Sequence, residues 1–202
     1  MRLAMLAPFI LLAAGCGQDQ DSSPAAAPRG AGVKVDWPTF LGPNQDNVSA
    51  EKGILAPWPK TGLGKVWDCP LGLGYAPPVI ADGKLFHFDR HDDTCRLTCR
   101  DAATGKLHWQ FDYATNYKDF YGYDPGPRAC PTVDGDRVYC YGPEGMLHCV
   151  KVADGKEVWR LDTKEKFHFH QNFFGVGGAP LVEGDLLIVP VGGLGKGPRR
   201  LD

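Results

Sequence analysis

The chain has 202 residues, with 22 Lys+Arg against 24 Asp+Glu, a net charge of −2 and 43% apolar residues. That balance excludes a disordered or polybasic chain and gives no electrostatic reason to expect nucleic acid or an anionic membrane surface as ligand. The 26 Gly and 17 Pro exceed ordinary usage but stop short of low-complexity disorder, so a turn-rich, all-β protein is expected.

In chain order, Met1-Arg2 gives a short basic start, Leu3 to Ala14 an apolar run, and Leu12-Ala13-Ala14-Gly15-Cys16 a small-residue cleavage site. Residues 1–15 therefore read as a secretory signal, too short to span a bilayer. Cysteine straight after the small residues resembles a bacterial lipobox, which implies lipidation of Cys16; plain secretion is the alternative. Residues 16–36 are small, polar and Pro-containing and read as a tether. Membrane contact is expected through the lipid alone, on the periplasmic face. Gly17 rather than Asp follows Cys16, which favours the outer membrane.

Residues 37–202 carry an internal repeat. Residues 97–112 (LTCRDAATGKLHWQFD) align without a gap, fifty residues on, with residues 147–162 (LHCVKVADGKEVWRLD), sharing seven of sixteen positions. Ahead of each block lies a second shared pattern, starting at Pro78, Pro131 and Pro180. Blade-like units are expected at about 76–112, 129–162 and 178–202. Within a unit, Val79-Ile80, Leu85 to Phe88, Leu97 to Arg100 and Leu107 to Phe111 read as strands, separated by Asp82-Gly83, a polar loop and Thr104-Gly105. Four short antiparallel strands per fifty residues is the pattern of β-propeller blades. Trp109 and Trp159, at one repeat position, are expected to anchor sheet to sheet.

The segments around Gly105-Lys106 and Trp109, and around Gly155-Lys156 and Trp159, resemble the Ala-x-(Thr/Asp)-Gly-Lys-x-x-Trp motif of pyrroloquinoline-quinone (PQQ) repeats. Trp37 to Pro43 is similar to the segment that opens many PQQ-like propellers. The resemblance implies a partial β-propeller of four-stranded antiparallel blades, in a superfamily of quinoprotein alcohol dehydrogenases and non-catalytic envelope scaffolds. It assigns Gly105, Lys106, Trp109, Gly155, Lys156 and Trp159 to blade docking. Lys65 to Asp68 matches the Trp109 strand without earlier strands of its own. Leu201-Asp202 falls mid-blade, so a fragment of a longer propeller, or half of an assembly, is expected.

Ser22, Ser23 and Ser49 are the only serines, which leaves the repeat region without a serine nucleophile, and Gly195-Lys196-Gly197 lacks the following Ser/Thr of a P-loop. His87, Asp89 and His91 alternate and would share one face of a strand. They read either as a metal cluster or as a solvated hairpin tip, with Asp92-Asp93 as its turn. His168 and His170, alternating with Phe167 and Phe169, pose the same choice and read as a half-buried strand rather than metal ligands. Cys95 and Cys99 lack a matching pair at zinc-finger spacing, and Cys99 recurs as Cys149, which argues for packing. A two-residue turn at Glu144-Gly145 would set Cys140 opposite Cys149, within reach of a disulfide. Tyr113, Tyr117, Phe120, Tyr121 and Tyr123, echoed by Phe167, Phe169, Phe173 and Phe174, either line a channel mouth that grips a polymer or peptide, or fill space between blades.

The expected function is a non-catalytic, membrane-anchored scaffold that binds an envelope protein or polymer and needs no cofactor. The alternative is a fragment of a PQQ-dependent alcohol dehydrogenase, with PQQ and calcium. The resemblance carries no PQQ ligand onto a numbered position, and no adjacent cysteine pair is present.

Overall fold

The computed structural model describes residues 36–53, 57–171 and 173–191, and the backbone of Arg2–Met5. Cys16, the tether before Asp36, most of the leader and residues 192–202 of the third unit lie outside the described residues.

Arg2–Met5 (β1) pairs antiparallel with Trp67–Pro70 (β2). Val79–Ala81 (β3), Lys84–His91 (β4), Thr94–Asp101 (β5) and Leu107–Ala114 (β6) form one antiparallel meander. Thr132–Asp134 (β7), Arg137–Tyr141 (β8), Met146–Lys151 (β9) and Glu157–Asp162 (β10) form a second, and Leu181–Glu183 (β11) with Leu186–Ile188 (β12) opens a third. These sheets are propeller blades, and their short inner strands β3, β7 and β11 lie side by side. The Asp82-Gly83 turn forms as expected, both residues at positive φ (53° and 70°), as a tight hairpin of this twist requires. Trp37 exchanges both backbone hydrogen bonds with Ile80, and Val133 N donates to Pro38 O, so the opening segment joins the innermost strands of two blades.

The alternation of each strand decides which neighbour it faces. Val79, Phe86, Cys99 and Trp109 stand in one row across the first blade. With Phe88, Cys95 and Leu97 they pack on Cys130, Val133, Val138, Cys140 and Val150 of the second blade. The opposite side of that blade presents Tyr141 and Leu147, packed with Ala129, Phe169 and Val176. Cys99 and Cys149 are both fully buried, as their recurrence in the repeat argued.

Repeat sequence becomes repeat geometry at the β5–β6 and β9–β10 turns. Asp101 N donates to Lys106 O and, fifty residues on, Lys151 N to Lys156 O; Ala102 N bonds Gly83 O and Val152 N bonds Asp136 O. The indole Nε1 of Trp67 donates to Ala102 O at 3.0 Å, and that of Trp109 to Val152 O at 2.9 Å. Each indole covers the turn glycine of the next blade: a Cβ on Gly105 would lie 2.7 Å from Trp67, and one on Gly155 2.6 Å from Trp109. The Trp67 strand, without earlier strands of its own in the sequence, thus docks by the common rule. The ring of Trp159 lies 6.0 Å from that of Tyr139 in its own blade.

Two further expectations are corrected. The β8–β9 connection holds four residues, 142–145, closed by Gly142 N to Met146 O, not two. The register therefore sets Cys140 opposite His148 and Cys149 opposite Tyr139. Neighbouring positions on a strand point to opposite sides of the sheet, so the two sulfurs diverge and both thiols are free. The segment before His168 is a helix, Thr163–Phe167 (α1), whose N-cap Asp162 accepts from Glu165 N and whose C-cap His168 takes the left-handed conformation, φ 51°. His168 and His170 are exposed while Phe169 is buried, the strand alternation having been imitated by a helix end. Five residues are too few to show a helical period.

Candidate binding surface

In a four-stranded meander the β4–β5 and β8–β9 turns and the blade-to-blade connections emerge at one end. The functional features gather on this loop face.

Arg90 holds it together. Only 6% exposed, its guanidinium donates to the carbonyls of Asp92, Tyr117 and Pro125 and to Asp93 Oδ1, tying β4 to the connection between the blades. Segment 72–76 is threaded between them: Leu73 and Arg90 exchange backbone hydrogen bonds, Gly74 N donates to Asp124 Oδ2, and the amides of Tyr75 and Ala76 donate to Pro127 O. Glycine is required where the chains touch, since a Cβ on Gly72 would lie 2.2 Å from Arg90 O and one on Gly126 2.1 Å from Leu73 O.

On this frame stands a ribbon of aromatic rings from three separate segments. Tyr121 stacks on Phe173 with centroids 4.0 Å apart, Phe173 meets Phe174 edge-on at 4.8 Å, and Tyr123 lies 6.1 Å from Phe174. The Arg128 guanidinium lies over both Phe174 (5.3 Å) and Tyr75 (5.6 Å). It is fixed by Asp119 Oδ2 and by the carbonyl of Asp124, each at 3.0 Å. Tyr75, Phe120, Tyr121, Tyr123, Phe173 and Phe174 are all exposed. The aromatic loop read from sequence thus divides. Tyr117 and Phe169 are buried and Tyr113 turns its hydroxyl into the blade interface, so these fill space between blades. Phe167 is half-buried on α1; Phe120, Tyr121, Tyr123, Phe173 and Phe174 form an open surface, and sequence spacing could not have brought Tyr75, Arg128 and Phe174 together.

His87, Asp89 and His91 share one face of β4 as expected, but the solvated tip is a correction: His87 and Asp89 are buried, and the turn lies beyond them at Asp92, φ 49°. Leu71 to Leu73 cover that face. Asp89 Oδ2 accepts Gly72 N at 2.8 Å, His87 Nδ1 lies 3.7 Å from the same oxygen, and His91 Nε2 lies 3.2 Å from Oδ1. Burial holds the His87 pKa below its ordinary value against the pull of Asp89. Among the described residues no group of three or more His, Cys, Asp or Glu side chains is placed to hold a metal ion. Nothing among them is therefore assigned as a holder for the calcium that accompanies PQQ.

Between the first two blades, His148 is 1% exposed and its Nδ1 lies 2.9 Å from Glu157 Oε2, its ring 4.3 Å from that of Tyr113. Burial lowers its pKa and raises that of Glu144, whose Oε2 accepts from Thr115 Oγ1. Burial also pushes the Cys95 thiol up to about 12 and those of Cys99, Cys130 and Cys149 up to about 11, so none is a nucleophile at neutral pH.

The profile of the family described as outer membrane protein assembly factor BamB matches residues 51–195. The chain belongs to this PQQ-repeat family. Quinohemoprotein alcohol dehydrogenase ADH-IIG of Pseudomonas putida is 25% identical over 146 residues, which cover 68% of this chain and 19% of that protein. The crystal structure of quinohemoprotein alcohol dehydrogenase from Comamonas testosteroni superposes with a TM-score of 0.51 and 23% identity, over 77% of this chain and 23% of that one, and shows the shared fold. BamB from Moraxella catarrhalis superposes at 0.44 with 22% identity, over 61% and 32%. The chain thus spans about a fifth of the curated relative it matches. No helix among the described residues is long and apolar enough to cross a membrane.

Proposed function

We propose that this chain is a non-catalytic PQQ-repeat propeller scaffold, tethered to a membrane through lipidated Cys16, preferentially at the periplasmic face of the outer membrane, and holding an envelope protein or polymer on its loop face. The aromatic ribbon around Arg128 carries this reading. Its Tyr, Phe and Arg composition is that of interface cores, and its rings are braced against one another, so little side-chain entropy is lost on contact. The motif residues Gly105, Trp109 and Gly155 are occupied in holding blade to blade and are unavailable for chemistry.

The test places a photo-crosslinking residue at Tyr123 in intact cells, with and without Tyr121→Ala and Phe173→Ala. A discrete adduct that disappears in the double variant, while the fold is retained, is the expected result; an adduct indifferent to both rings overturns the reading. Cys16→Ser is expected to release the protein from membranes.

A second reading, a piece of a PQQ-dependent oxidoreductase, is favoured by the match to a protein described as a quinohemoprotein alcohol dehydrogenase. Adding PQQ with calcium separates the two. Stoichiometric quinone absorbance and alcohol-dependent dye reduction belong to the oxidoreductase, and their absence to the scaffold.

A further inference from the structure

Beside the aromatic ribbon the loop face holds a cleft of about 360 Å³, lined by Leu71, Leu73, Arg90, His91, Asp92 and Asp124. That volume is at the low end for ligand pockets and suits one long side chain. Cleft and ribbon are continuous. Asp124 follows Tyr123 in the chain, its carboxylate accepts the amide of Gly74 beside Tyr75, and its carbonyl accepts Arg128. The charges of this surface do not balance. Arg90 is committed to three carbonyls and Asp93, Arg128 pairs with Asp119, and His91 Nε2 lies 3.2 Å from the buried Asp89 carboxylate. Asp92 and Asp124 line the cleft with no cationic side chain at ion-pair distance among the described residues. Asp92 is exposed, and Asp124 accepts the amides of Gly74 and Gly126. A carboxylate oxygen that holds one amide keeps a lone pair for a further donor.

We propose that ribbon and cleft together bind one extended polypeptide segment of a partner protein, with a Lys or Arg side chain seated in the cleft against Asp92 and Asp124 and flanking apolar or aromatic side chains laid on the rings. This rests on the reading of the loop face as a binding surface and commits that surface to a polypeptide. Leu71 and Leu73 give the aliphatic stem of such a side chain an apolar wall, while its charged head reaches the two carboxylates. A neutral glycan has no cation to offer them, and an acidic polymer is repelled. Leu73, Tyr75 and Tyr123 are exposed, so the segment reaches them without displacing the frame that Arg90 holds.

The experiment titrates the full chain against extended peptides that differ only at a central Lys, Gln or Glu flanked by Phe, followed by fluorescence anisotropy. The Lys peptide is expected to bind at least about tenfold more tightly than the Gln peptide, and the Glu peptide more weakly still. The gap between Lys and Gln should shrink as salt rises. Asp92→Lys, at an exposed position, should erase the preference for Lys over Glu while leaving the Gln peptide unchanged, a pattern that a damaged fold does not produce. Tyr121→Ala with Phe173→Ala should weaken all three peptides alike. Equal affinity for the three peptides, a preference unmoved by Asp92→Lys, no peptide binding at all, or capture of soluble glycan strands in place of peptide would each overturn the proposal. The crosslink at Tyr123 reports on the ribbon separately, so the cleft can fail while the ribbon stands.

Discussion

The indole of Trp109 covers Gly155 of the next blade, and its Nε1 donates to Val152 O at 2.9 Å, so one side chain closes both the steric and the polar side of the joint. Gly155 sits at φ +71°, where a side chain is strained even in open space, and its missing Cβ is where the ring lies. Gly155→Ala is expected to cost about 2–4 kcal/mol, from left-handed backbone strain plus overpacking. Gly105→Ala, at φ +73° beneath Trp67, should behave alike. Urea midpoints measure this, and a loss under about 0.5 kcal/mol, the level of a surface change, would refute the docking role.

Arg90 predicts a loop-specific effect. Arg90→Met leaves the carbonyls of Asp92, Tyr117 and Pro125 without their donor and should cost about 2–4 kcal/mol. Arg90→Lys should recover little, because an ammonium cannot serve partners spread around a planar fork. Hydrogen exchange should quicken first in residues 115–128, before the blades themselves.

Acid should weaken the joint between the first two blades. The His148 pKa lies below 6.5 in the folded state, through burial, and near 6.5 once unfolded. Above that pH both states are neutral and nothing is lost. As pH falls below 6.5 the unfolded chain takes up a proton that the folded one refuses, so stability drops until the folded pKa is reached. Buried His87 adds in the same direction, while Glu144, its pKa raised by burial, opposes it at lower pH. The difference between wild type and His148→Gln, measured as thermal midpoints at pH 7.5 and 5.5, isolates the contribution. Equal slopes in the two proteins would disprove it.

Thiol labelling tests the corrected register. Cys95, Cys99, Cys130, Cys140 and Cys149 are buried and free, and burial raises their pKa values. Alkylation at pH 7.5 should spare all five in the folded protein and modify all five in urea without prior reduction. A mass two hydrogens short on a Cys140–Cys149 peptide pair would contradict the register.

The fold was legible because a repeat writes the same local chemistry twice. Gly105 and Gly155, Trp109 and Trp159, Cys99 and Cys149 announce equivalent turns, anchors and buried rows whatever surrounds them. The short helix was not legible, since Thr163–Phe167 spans little more than one turn and the Phe-His alternation at its end mimics a strand.

Sequence alone determined the four-stranded blade and its Asp-Gly and Thr-Gly turns, because those depend on φ preferences and on alternation within a few residues of one another. Only the tertiary structure decided that Cys140 faces away from Cys149 and that Tyr75, Arg128 and Phe174 meet. Register is set by turn length, and the aromatic surface by the packing of connections up to a hundred residues apart, neither of which leaves a local trace in the chain.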